Sequence, residues 1–185
     1  MAQAQLAADV PSPNRGGLAI YVRPLVATPN RPIILPERYA EELTRIADHI
    51  GILIVAPQDA IAALETTYTS TVDEEDGTAT LRISGDADDP RIAVDRMLRS
   101  EGARKADVVY ADLDLTQPCE GTIDTLRRNG FSLAGLLHAG HGGRDWLRLQ
   151  RPQVAYELNE LQIADEVGQW LLGRVQADLA DVTAG

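Results

Sequence analysis

The stretch NGFSLAGLLHAGHGGRDWLRLQRP, residues 129–152, decides how this chain folds. Two apolar runs flank a glycine-rich turn, which is the composition of a β-hairpin. Asn129–Gly130 closes a preceding helix, because glycine accepts the left-handed conformation found just past a helix end. In the second run Trp146, Arg148 and Gln150 fall on one face and Leu147 and Leu149 on the other, the alternation of a strand. The Trp–Arg–Gln stripe suits a ligand or a protein partner if it is exposed, and Trp146 is core filler if it is not. The turn carries His138 and His141. With Asp145 they have the residue types of a metal site, but Gly140, Gly142 and Gly143 make a loop that preorganises ligands poorly, so no metal is expected. The open readings are acid–base use of one imidazole, His138 being the candidate, and a plain exposed turn.

Working outward, PCEGTIDTLRRNG (118–130) reads as a helix and ADVVYADLDL (106–115) as a strand. On that strand Val109, Ala111, Leu113 and Leu115 point one way, and Val108, Tyr110, Asp112 and Asp114 the other. DPRIAVDRMLRSEGAR (89–104) reads as one amphipathic helix, with Asp89 as its cap and Pro90 in its first turn. LETTYTSTV (64–72) and TATLRIS (78–84) are strands joined through Asp76–Gly77, a hairpin signal. The acidic run Asp73–Asp76 is a solvated tip that discourages edge-to-edge association. In the second of these strands Thr80, Arg82 and Ser84 share a face. PERYAEELTRIADHIG (36–51) is a helix with Tyr39, Leu43, Ile46 and Ile50 on its apolar side, His49 in its last turn and Gly51 as its stop. A last helix runs from about Leu158 to Val182. Gly17–Val22 reads as a first strand. The order predicts an α/β or α+β sandwich, a mixed sheet with helices on its faces.

The 185 residues fit one domain, and 44% hydrophobic content is enough for a core, although 4% aromatic content makes that core aliphatic. A net charge of −11 argues against nucleic acid and anionic membrane as partners. The bias towards arginine over lysine fits a GC-rich bacterial genome. One cysteine, Cys119, excludes an internal disulfide. Its place at a helix start favours the thiolate, yet no neighbouring base is evident. The first ten residues lack the pattern of a signal peptide, and no apolar run reaches membrane-spanning length, so a cytoplasmic protein is expected.

The element order, together with TIDTLRRNGFSLAGLL (122–137), resembles the GNAT superfamily of N-acyltransferases. The likeness rests on the Gly130–Phe131 step after the helix holding Ile123 and Leu126, and covers roughly residues 33–152. It implies a mixed, mostly antiparallel sheet with helices on both faces, here with an extra C-terminal helix. The implied division is a loose segment 1–17, a GNAT-like domain 18–152 and an extension 153–185 packing on the domain or on a partner subunit.

In that family two central parallel strands splay apart to form the cleft, and a glycine-rich loop holds the CoA pyrophosphate on backbone N–H groups. Here the corresponding stretch is GDADDPRIA (85–93). Asp86, Asp88 and Asp89 repel a pyrophosphate and Pro90 lacks an N–H, which disfavours acetyl-CoA or another acyl-CoA as cofactor.

The candidate catalytic groups are Asp112, Asp114 and Tyr110, on the strand that the resemblance ends near the cleft, and His138 of the turn. The candidate ligand-binding groups are Arg82, Ser84, Trp146 and Arg148. Three functions follow as expectations. One is a divergent GNAT-like protein of a bacterial metabolic or biosynthetic pathway, binding a small molecule or a partner with acyl transfer repurposed or lost. The second is a CoA-dependent N-acyltransferase acting on a small amine, and the third a non-catalytic regulatory module. A homo- or hetero-oligomer is expected.

Overall fold

In order along the chain, the elements are β1 (Arg31–Pro32), a 3-10 turn (Glu37–Tyr39) leading into α1 (Ala40–Ile50), β2 (Ile54–Val55), β3 (Thr67–Asp73), β4 (Thr78–Ser84), α2 (Arg91–Arg99), α3 (Glu101–Lys105), β5 (Val108–Asp114), α4 (Glu120–Arg128), β6 (Ser132–Leu137), a second 3-10 turn (His141–Gly143), β7 (Trp146–Pro152) and α5 (Glu166–Ala184). This computed structural model describes residues 31–55, 66–85, 90–154, 163 and 165–184. The segment 1–17, the strand expected at Gly17–Val22, the aspartates Asp86, Asp88 and Asp89, and the expected start of the last helix at Leu158 lie outside the described residues.

The large sheet has five strands in the order β3-β4-β5-β7-β6. Only β4 and β5 run parallel in it; the other three neighbouring pairs are antiparallel. The class is α+β, with a mixed, mostly antiparallel sheet and helices packed on it. A small parallel sheet joins β1 and β2. That pairing was not expected from sequence, because a two-residue strand shows no alternation.

Local chemistry accounts for the element boundaries. Tyr39, Leu43, Ile46 and Ile50 are all buried, as their spacing requires. Gly51 stops α1 at φ +76°, and the Ile52 N–H reaches the Ala47 carbonyl at 2.8 Å. The run expected as one helix from Asp89 to Arg104 is two. Ser100 is extended and accepts a hydrogen bond from the Ala103 N–H at 3.2 Å, so it caps a new helix instead of continuing the old one. The acidic tip folds on itself, with Asp73 Oδ1 accepting the N–H groups of Glu75 and Asp76.

The two faces of the sheet differ. Ala79, Leu81 and Ile83 on β4, Val109, Ala111 and Leu113 on β5, Leu147 and Leu149 on β7 and Leu133 on β6 fall in register on one side and form the core. Val94 and Met97 of α2, Ile123 and Leu126 of α4, Leu43 of α1 and Val175 of α5 join the same cluster. Parallel crossovers are right-handed, and the steps from β4 to β5 and from β5 to β6 move the same way across the sheet. Their connecting helices therefore share a face. Ile46, Ala47 and Ile50 of α1 form a second cluster with Ile52, against which Leu136 of β6 and Leu171 of α5 pack. Helix α5 lies along β6 and α1. Asp178 on α5 accepts the Leu133 N–H at 2.6 Å and the Tyr39 hydroxyl at 3.0 Å, and it pairs with Arg127 of α4. Arg174 pairs with the buried Glu42 of α1.

Candidate functional site: a polar face on the central strands

The other face of the sheet is polar because every second residue of β4, β5 and β7 points there. Register sets the partners. Arg82, Asp112 and Arg148 form one row across three strands, and Asp114 and Trp146 belong to the next.

Asp112 is fully buried. It accepts Arg148 Nε at 2.7 Å on one oxygen and Nη2 at 2.9 Å on the other, a bidentate pair. Arg82 Nε stands 3.8 Å from the same carboxylate, beyond hydrogen-bond reach. The Arg148 guanidinium also sits over the Tyr110 ring, 4.4 Å from its centre. Burial pushes the Tyr110 hydroxyl above its ordinary pKa; Arg148 opposes that and Asp112 adds to it. Tyr110 is therefore a neutral hydrogen-bonding phenol at physiological pH.

Asp114 is saturated as well. Its Oδ2 accepts Ser84 Oγ at 2.6 Å and Arg144 Nη1 at 2.5 Å. Its Oδ1 accepts the Thr116 N–H at 3.0 Å and the Thr116 hydroxyl at 2.8 Å. Burial opposes ionisation of Asp114, but the bonds from Ser84, Thr116 and Arg144 outweigh it and hold the carboxyl below its usual pKa. A carboxylate so held is a weak base, and its lone pairs are already engaged. Arg144 was not among the candidates from sequence. Nothing in its glycine-rich surroundings announces a strand-end ion pair; only the fold of the β6–β7 turn brings it to Asp114.

The remaining candidates lie apart from these pairs. The stripe is not fully exposed, since Trp146 is 5% exposed and its Nε1–H donates to the His141 carbonyl at 3.2 Å. His138 pairs with Asp145 at 2.6 Å, and with 8% of its side chain exposed it is not part of an open turn. Asp145 also accepts the Ala139 N–H at 2.9 Å. An ionised carboxylate only accepts, so His138 Nδ1 carries the proton and a neutral ring keeps its lone pair on Nε2. That atom is buried and without a hydrogen bond. The dyad has the orientation of a general base but no exposure to a substrate arriving from solvent. Cys119 is buried in the core.

The structure thus brings together Tyr110, Asp112, Arg82 and Arg148, and separately Ser84 and Asp114; it leaves His138 with Asp145. Among the described residues no cluster of three or more His, Cys, Asp or Glu side chains is placed to hold a metal ion. No helix among them is long and apolar enough to cross a membrane. Compared with known proteins, the chain matches no family model, no curated sequence and no solved structure.

Proposed function

We propose that the chain is a divergent GNAT-like domain in which acyl transfer is lost or repurposed, and which works by binding a small molecule or a partner subunit. The parallel pair β4 and β5 at the middle of the large sheet supports the fold half of this reading. The observation that carries the loss of acyl transfer is the closure of that pair. Acyltransferases of the resembling group part these strands to form the cleft. Here they stay paired through Ile83↔Leu113, and the Ser84–Asp114 hydrogen bond at 2.6 Å ties the next position. Asp112 and Asp114, the candidate bases, are both occupied by arginine. Pro90 stands at the start of α2 without an N–H to offer a phosphate.

Thermal unfolding with acetyl-CoA tests the reading. A ligand that binds the folded state raises Tm with its concentration. No rise is expected at millimolar acetyl-CoA, and a saturable rise would return the chain to the CoA-dependent enzymes.

A further inference from the structure

Arg82 is the unbalanced member of the polar face. Its Nε is buried and makes no hydrogen bond, and the carboxylate it faces is 3.8 Å away and already held at both oxygens by Arg148. A guanidinium has five donors in a planar fork, and leaving the buried Nε–H unmet is costly. The Arg82 side chain is 22% exposed, and its neighbour across the ladder, Thr69 on β3, is exposed, so the fork is approachable from that side. Among the described residues, the rows Arg82–Asp112–Arg148 and Ser84–Asp114 with Arg144 set three guanidiniums against two carboxylates, one positive charge in excess within those rows, on a chain of net charge −11.

We infer that Arg82, on the polar face it shares with Tyr110 and Arg148, is the recognition group for a small molecule bearing a carboxylate. A single excess positive charge beside two buried aspartates balances a monoanion and leaves a phosphate dianion under-compensated. A planar carboxylate also matches the guanidinium fork. The inference rests on the proposal that the domain binds a small molecule. The experiments are separable, because one reads acetyl-CoA and the other a bare carboxylate.

The test is the proton–nitrogen spectrum of the arginine Nε–H groups, titrated with sodium acetate against sodium chloride at equal ionic strength. The expected result is a saturable shift of the Arg82 resonance with acetate in the millimolar range, on the order of what a four-atom ligand reaches. The Tyr110 and Gln150 amides should follow it. Arg82→Gln should abolish the acetate response of those amides while the rest of the spectrum stays folded, and Arg82→Lys should weaken it by about tenfold or more, since lysine lacks the fork. No saturable shift, or an equal response to chloride, overturns the site. Saturation by inorganic phosphate at lower concentration than acetate overturns the carboxylate assignment.

Discussion

Asp112 receives both Nε and Nη2 of Arg148, at 2.7 and 2.9 Å, across directly paired positions of β5 and β7. The carboxylate has no exposure of its own, so its charge depends on that partner. The relationship ties the two strands on the polar face, while Leu113 and Leu147 pack on the other.

Removing one member strands the other. Asp112→Ala is expected to cost about 3 kcal/mol, because Arg148 and Arg82 are left without a counter-charge. In urea unfolding the midpoint should fall with little change in slope. Asp112→Ala combined with Arg148→Ala should cost less than the two single changes added together, which is the signature of a direct pair.

Asp114 gives the chain an acid-sensitive strand end. Its folded pKa lies below the ordinary carboxylate value, so the unfolded chain binds more protons in the window between the two. The stability it contributes is fully present above the unfolded value, about pH 4, and is lost as pH falls through the folded one. Urea midpoints at pH 7 and near pH 3 should therefore differ more for the wild type than for Asp114→Asn. Equal differences would mean that another carboxylate carries the acid sensitivity.

Asp178 pins the C-terminal helix to the sheet edge by accepting the Leu133 N–H at 2.6 Å. Asp178→Ala removes that bond together with those to Tyr39 and Arg127. Hydrogen exchange at the Leu133 amide should accelerate by about tenfold or more, the equivalent of a single lost charged hydrogen bond. Amides of β5, in the middle of the sheet, should slow exchange as before.

Ala139 holds φ at +48°, a left-handed conformation that costs a residue with a Cβ roughly 1–2 kcal/mol. Ala139→Gly should relieve it and raise Tm by about 2–4 °C, measured by thermal unfolding. The gain should vanish if Asp145→Asn already loosens the turn, since the Asp145 carboxylate accepts the Ala139 N–H and sustains the strained geometry.

Much of the fold was legible because single elements follow local rules. Tyr39, Leu43, Ile46 and Ile50 announced α1 through their spacing, Gly51 and Gly130 announced two helix ends, and the alternation of β4, β5 and β7 told which side chains share a face. The break at Ser100 was less legible, since a serine inside an amphipathic run is compatible with either helix or cap. The β1–β2 pair was illegible for lack of length. In the candidate site, alternation told that Tyr110 and Asp112 share a face of one strand and that Trp146 and Arg148 share a face of another. The role of Arg144 could not be read in this way, and neither could the choice between the readings left open for His138 with Asp145 and for Trp146, because each depends on how a glycine-rich turn folds back.

The sequence by itself determined the elements, the apolar and polar faces of each strand, and the absence of a local phosphate-loop pattern in residues 85–93, since these depend on neighbours in the chain. Tertiary structure alone decided which strand lies beside which. Register across β4, β5 and β7 then set whether each buried charge found a partner: Asp112 and Asp114 are saturated, and Arg82 Nε is left without a hydrogen bond. Coulombic pairing falls off within a few ångströms, so a site built from residues 82, 112 and 148 exists only once the sheet has formed.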